Sequence, residues 1–169
     1  CLSRGLGDVY KRQELDNEWP GGAKLLRVAG RPAFFGLCRC VESGGGIEVH
    51  TDRADWDLPC PETAPFQAQL FMNIYLSQAE QGGDLELWDI EIPGKADYDA
   101  LRSPIASFAL DRTRLPAPTA TVCVAPGTLV IANASKPHAV TACVGAGRRM
   151  SVSGFLGYCG PHEYLRVFS

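Results

Sequence analysis

A mainly β fold with few helices, arranged as a sandwich or barrel, is what this sequence predicts, on three observations. Short runs of β-forming residues recur along the chain, and clusters of glycine, proline and small polar residues separate them. The length of 169 residues, 46% hydrophobic and 21% charged, matches one globular domain. Phe34 to Val41, bounded by Arg31-Pro32 and the turn Ser43-Gly44-Gly45-Gly46, predicts a strand, and Ile47 to Thr51 follows the glycines directly. Asp52 to Pro65 is polar and proline-bearing, hence loop, and Phe66 to Leu76 is a long alternating run with its turn at Glu80 to Gly83. Asp84 to Ile92 alternates again, Pro93 to Ser103 has room for a short helix or an irregular excursion, and Leu115 to Pro118 is a connection. Thr121 to Val124 and Thr128 to Ala132 flank the Pro126-Gly127 turn. Ala139 to Cys143 and Arg149 to Leu156 read as a hairpin closed by Gly145-Ala146-Gly147. No repeat or interdomain linker divides the chain.

Composition narrows the partners. A chain of this size buries roughly 70% of the surface that its unfolded form exposes, so it holds a core without disulfides or a structural metal, and any metal would point to chemistry. The net charge is −3, from 16 basic and 19 acidic residues with no dense basic stripe, which argues against nucleic acid or an anionic membrane and for a small ligand. No apolar run approaches the roughly 18 residues that cross a bilayer, no signal-peptide core opens the chain, and the expected location is cytoplasmic. The seven cysteines fit neither a zinc ribbon nor a CxxC pair, and they read as free buried thiols. A bridge between Cys38 and Cys40, on one face of a strand, would be strained, so a reducing compartment fits.

Residues 1–13 stand apart. Ser3 to Gln13, SRGLGDVYKRQ, resembles the translation of a transposase adapter used in sequencing libraries, so the natural sequence is expected to begin near Glu14 and to be truncated at its amino terminus. Setting aside Arg4, Lys11, Arg12 and Asp8 leaves 13 basic against 18 acidic residues, a balance of −5.

The chemistry enters at His50-Thr51-Asp52. In an extended segment residues i and i+2 project to one face, so this histidine and aspartate can bind one metal from one side. Of the three histidines, His138 opens another run just after the apolar strand Thr128 to Ala132, and His162 lies in the tail and reads as a surface residue. Two histidines and one carboxylate form the facial triad that holds non-haem Fe(II) with open coordination positions. Along Phe66 to Leu76, alternation sets Gln69, Phe71, Asn73 and Tyr75 on the face expected to line a pocket. Arg39 shares its strand face with Phe35, Leu37 and Val41, company that a charge joins only with a partner. That partner is a substrate carboxylate, the cosubstrate or a salt bridge. Trp88 and Leu85 read as core.

His50-Thr51-Asp52, Asn73-Ile74-Tyr75-Leu76, Gly82-Gly83-Asp84-Leu85, Pro126-Gly127-Thr128-Leu129-Val130, His138 and Gly147-Arg148-Arg149-Met150-Ser151, in this order, resemble the Fe(II)/2-oxoglutarate-dependent oxygenases. The closest likeness is to the prolyl-4-hydroxylase-like branch and to bacterial hydroxylases of amino-acid derivatives, over about residues 34–169. The resemblance implies a double-stranded β-helix, or jelly roll, whose open end carries the metal. It implies Fe(II) on His50, Asp52 and His138, with 2-oxoglutarate as cosubstrate, dioxygen as oxidant and ascorbate as a possible reductant. A basic residue after the second histidine pairs with the distal carboxylate of 2-oxoglutarate, a task that suits the planar fork of arginine. Arg148 stands ten positions after His138, a common spacing in the family, whereas Arg149 fits the G-x-R-x-S pattern and shares its face with Ser151 and Ser153. Arg149 is the expected anchor, Ser151 its neighbour, and Tyr75 and Asn73 further cosubstrate contacts, with Arg39 assigned to substrate.

The resemblance also implies hydroxylation of a small molecule, an amino acid or its derivative. Related halogenases carry a small residue in place of the triad carboxylate, which frees a site for chloride, and here that position is Asp52. Other oxidative outcomes stay open, as do a cupin-like metal-binding isomerase, a zinc hydrolase and a non-catalytic β-sandwich binding module. The cupin reading expects further histidines, and neither it nor the hydrolase explains Gly147 to Ser151.

Overall fold

The computed structural model describes residues 13–169, and residues 1–12, with nearly all of the adapter-like stretch, lie outside the described residues. Twelve strands follow in order: β1 (Ala23–Leu25), β2 (Arg27–Val28), β3 (Arg31–Pro32), β4 (Leu37–Val41), β5 (Ile47–His50), β6 (Ala68–Gln81), β7 (Leu85–Leu87), β8 (Ala120–Val122), β9 (Leu129–Asn133), β10 (His138–Val140), β11 (Val144–Tyr158) and β12 (Leu165–Phe168). Helix is confined to residues 13–18, Ala54–Asp57, Lys95–Ala100 and a 3-10 turn at Arg112–Arg114. No helix among the described residues is long and apolar enough to cross a membrane.

The larger sheet has the order β1-β12-β11-β6-β9, with β4 also paired to β11, and the smaller has the order β5-β10-β7-β8. β1 runs parallel to β12, and the other pairs are antiparallel. One edge of β11 is shared: β4 pairs Arg149 to Ser153, then β12 pairs Phe155 to Gly157. Alternation along β11 buries Arg149, Ser151 and Ser153 on one face.

Three apolar clusters hold the layers. Leu15 and Trp19 pack on Met72 and Leu156 across the outside of the larger sheet. Phe71, Tyr75, Leu85, Val124 and Ala134 link the two sheets. Val49 and Ala139 of the smaller sheet pack with Trp88, Leu110 and Tyr98 of the Lys95–Ala100 helix. Each such large side chain contributes roughly 1.5–3 kcal/mol when fully buried.

Several expectations are corrected. β10 and β11 form no hairpin: β10 pairs with β5 and β7 in the smaller sheet, and β11 pairs with β4, β6 and β12 in the larger. Gly145 and Gly147, at φ 80° and 84°, sit where the β11–β6 register shifts, so their left-handed conformations serve bulges instead of a reversal. β6 runs past Leu76 to Gln81, which narrows its turn to Gly82 and Gly83 at φ 69° and 72°. The run Asp84 to Ile92 keeps only Leu85–Leu87 as strand. Phe34 to Gly36 precedes β4, because Gly36 turns at φ 99° and drops Phe35 into the core. Among the described cysteines only Cys143 is buried, while Cys38 and Cys40 on β4 and Cys123 just after β8 are exposed.

Candidate metal centre

His50 ends β5 and His138 opens β10, and the antiparallel register sets them opposite each other with ring centroids 4.5 Å apart. Asp52 follows His50 by two residues, and its backbone N–H donates to the Ala134 carbonyl at 2.8 Å, which fixes the start of the loop. Its Oδ2 lies 3.6 Å from His50 Nε2 and 3.3 Å from His138 Nε2. One donor atom from each of the three lies within 4.8 Å of the other two, the spread of ligands around one ion.

Second contacts set the tautomers. His50 Nδ1 is 2.7 Å from the Glu48 carbonyl and His138 Nδ1 is 3.0 Å from the Lys136 carbonyl. A carbonyl only accepts, so each Nδ1 carries the hydrogen and each Nε2 lone pair is free to ligate. Burial alone would raise the Asp52 pKa, but the imidazoles of His138 and His50 outweigh it and hold the carboxyl well below its ordinary range. Burial likewise depresses His50, yet Asp52 and the Glu48 carbonyl leave it above its ordinary value. The three groups thus favour a positive charge between them, which a divalent cation supplies.

The pocket beside the triad is walled by both sheets: Phe71, Asn73, Arg149 and Ser151 from one, Ile47 and Leu85 from the other. Arg149 is 2% exposed, and its guanidinium donates to the Tyr75 hydroxyl at 3.2 Å and lies 4.9 Å from the Tyr75 ring centre. Its Nε is buried without a partner, and no carboxylate pairs with it among the described residues. A buried, unpaired guanidinium is costly unless an anion arrives, so the residues present fit a dicarboxylate cosubstrate. Gly83 makes room for the Arg149 side chain, since a Cβ there would stand 3.3 Å from Arg149 Cδ at a φ of +72°.

The expected residues converge in part. His50, Asp52, His138, Arg39, Asn73, Arg149 and Ser151 line one pocket, and Tyr75, fully buried, reaches it through Arg149. Ser151 faces Arg39 on β4 and Tyr75 on β6, and its Oγ is 3.4 Å from that of Ser153. Arg148 points to solvent near Glu42, 3.6 Å away, and His162 is exposed. Gln69 turns away from the triad pocket, where its Oε1 accepts from the Ala54 N–H at 2.8 Å. Sequence reasoning missed Phe108, whose ring centre lies 6.0 Å from that of His50, together with Trp56 and Tyr98. Their placement depends on a fold-back in which the Leu110 N–H donates to the Val49 carbonyl, a contact with no local signal.

Comparison with known proteins agrees with this geometry. The family described as "Carrier-protein-independent halogenase WelO5" matches residues 29–169. No curated protein matches the sequence. Two solved structures of an N-substituted L-amino acid dioxygenase from Burkholderia ambifaria AMMD share the fold at 21% identity over 87% of this chain. Their TM-scores are 0.60 and, for the complex with alpha-KG, 0.61. The chain spans 58% of the length of each. The family match begins ahead of β3 and takes in the whole triad and both walls of its pocket, and the chain belongs to the WelO5 family, within the Fe(II)/2-oxoglutarate-dependent oxygenases.

Proposed function

We propose that residues 34–169 form the catalytic core of an Fe(II)- and 2-oxoglutarate-dependent hydroxylase acting on a C–H bond of a small amino-acid derivative. The observation that carries the reading is Asp52, a carboxylate whose Oδ2 stands 3.6 and 3.3 Å from the two imidazoles, where the resemblance to halogenases would call for a small residue. His50 and His138 would hold the metal through Nε2, and their carbonyl-bound Nδ1 atoms keep both rings oriented. Bound iron and 2-oxoglutarate supply dioxygen activation coupled to oxidative decarboxylation to succinate and carbon dioxide. Arg149 receives the distal carboxylate, and Tyr75, already hydrogen-bonded to Arg149, fixes the direction of the fork. Ser151 and Asn73 offer further hydrogen bonds along the same wall. Phe71, Leu85 and Phe155 keep water from the reacting centre. The N-substituted L-amino acid named for the structural relatives supports the substrate class.

The test is an anaerobic titration of the purified chain with Fe(II) and 2-oxoglutarate, followed by turnover of a panel of N-substituted L-amino acids in chloride buffer. A visible charge-transfer band, lost in His138→Ala, and products heavier by one oxygen are expected. No band in folded protein, or chlorinated product from the unmodified chain, would overturn the reading.

A further inference from the structure

A second cavity opens from the triad pocket, sharing with it Arg39, Ile47, His50 and Asp52. Three aromatic side chains wall it: Trp56, Tyr98 and Phe108. The Trp56 and Tyr98 rings meet edge to face with centroids 6.0 Å apart, and the Tyr98 hydroxyl donates to the Phe108 carbonyl. That bond, with Leu110 N–H to Val49 and Ser103 N–H to Ala109, pins both ends of the segment that carries Phe108. Phe108 nevertheless stays 57% exposed, apolar surface left to water beside His50.

Two polar groups here also lack partners. Arg39 is half-buried, its Nε is fully buried without a hydrogen bond, and no carboxylate pairs with it among the described residues. The buried Thr51 hydroxyl, in the same wall, is likewise unpartnered. Of the other charged lining residues, Arg102 is held by Asp99 at 2.7 Å, and Glu48, Asp57 and Lys95 are exposed. Arg149 lines only the triad pocket, whereas Arg39 lines both spaces, so Arg39 is the guanidinium that reaches the second cavity. Charge counting separates their tasks. Fe(II), Arg39 and Arg149 on one side, and Asp52 and the 2-oxoglutarate dianion on the other, leave a single positive charge, and Arg39 is the group without an anion.

Resting on the site as read under the proposed function, we propose that the second cavity takes a monoanionic organic acid, its carboxylate paired with Arg39 and its apolar body laid between Phe108 and Trp56. The substrate thus supplies the missing negative charge and covers the exposed aromatic surface. Arg39 is the specificity-determining residue and Phe108 the apolar wall.

The test uses hydrocinnamate and its neutral analogue hydrocinnamamide as probes, with the whole chain held anaerobically with Fe(II) and 2-oxoglutarate. Binding is read by saturation-transfer NMR and the cosubstrate by the visible band in the same sample. Hydrocinnamate is expected to bind at least about tenfold more tightly than the amide, the gain of one charge-assisted pair. Arg39→Gln removes that preference and leaves the band's 2-oxoglutarate dependence unchanged, Arg39→Lys keeps part of it, and Phe108→Ala weakens both probes alike. Equal binding of acid and amide overturns the proposal, as does failure of both to bind. Arg39→Gln that raises the 2-oxoglutarate requirement while sparing hydrocinnamate overturns it too, by moving Arg39 to the cosubstrate. A preference that depends on Arg39 in a folded chain showing no band would sustain the anion site and sink the iron reading; a band without preference does the reverse.

Discussion

The two sheets divide the site between them. The smaller sheet presents His50 and His138 from a directly opposed pair on β5 and β10, with Asp52 two residues beyond. The larger sheet presents Arg39, Asn73, Arg149 and Ser151 from three neighbouring strands. Under the proposed function, metal binding is therefore set by one cross-strand pair and one local spacing, whereas cosubstrate binding needs β6 and β11 to hold a common register and substrate binding adds Arg39 of β4. The difference teaches that the two functions should fail separately.

The largest effect should come from the smaller sheet. His138→Ala removes an Nε2 donor whose partners sit within 4.8 Å, and turnover should fall at least about 10²-fold with Fe(II) affinity, since the reacting centre loses its placement. Anaerobic Fe(II) titration checks this, with circular dichroism to show that the fold stands. Unchanged iron affinity would break the division at its first term.

Next comes the larger sheet. Arg149→Met should weaken 2-oxoglutarate about 10²-fold, as expected for loss of charge-assisted hydrogen bonds worth roughly 1.5–3 kcal/mol. Iron affinity should stay within about twofold. Because Arg149 is buried without a counter-anion, the ligand-free variant should melt no lower than the parent, and 2-oxoglutarate should no longer raise its melting temperature. A variant that lost iron and cosubstrate together would show one coupled site in place of two.

This division also explains what the sequence could reveal. The triad was legible because His50 and Asp52 are two apart, and because His138 opens a short apolar run. The burial of Arg149 was legible because alternation sets it on one face with Ser151 and Ser153. The β10–β11 hairpin was misread because a glycine at positive φ serves a turn or a bulge equally well, and only long-range pairing decides. The aromatic wall was invisible because Trp56, Tyr98 and Phe108 come from separate segments joined by the fold-back of Leu110 onto Val49. The cysteines of β4 were misjudged because burial depends on what covers a face, which residue type does not state.

A moderate effect should appear at the far end of β11, where the larger sheet is structural. A Cβ at Gly157 would stand 2.3 Å from Phe66 Cζ, between Gln69 of β6 and Arg166 of β12. Gly157→Ala should therefore lower stability by about 1–3 kcal/mol through overpacking, read by chemical denaturation. The 2-oxoglutarate affinity of the folded fraction should stay unchanged. A change in that affinity would carry the cosubstrate wall further along β11 than Ser153.

The smallest effect sharpens the comparison most, because it concerns the residue beside Arg149. Arg148 points to solvent at 64% side-chain exposure, 3.6 Å from a Glu42 that is 71% exposed. Pairs of this kind contribute about 0–1 kcal/mol, and the bond that the Ser77 hydroxyl donates to the Arg148 carbonyl at 2.6 Å involves only the backbone of Arg148 and survives substitution. Arg148→Ala should shift stability by no more than about 0.5 kcal/mol and 2-oxoglutarate affinity by less than about twofold. A one-residue slip of β11 would exchange the two arginines between pocket and solvent, so their variants, measured side by side, test the register directly. If Arg148→Ala weakens 2-oxoglutarate as much as Arg149→Met does, the bulges at Gly145 and Gly147 do not fix the strand as described, and the larger sheet meets the cosubstrate through both of its faces.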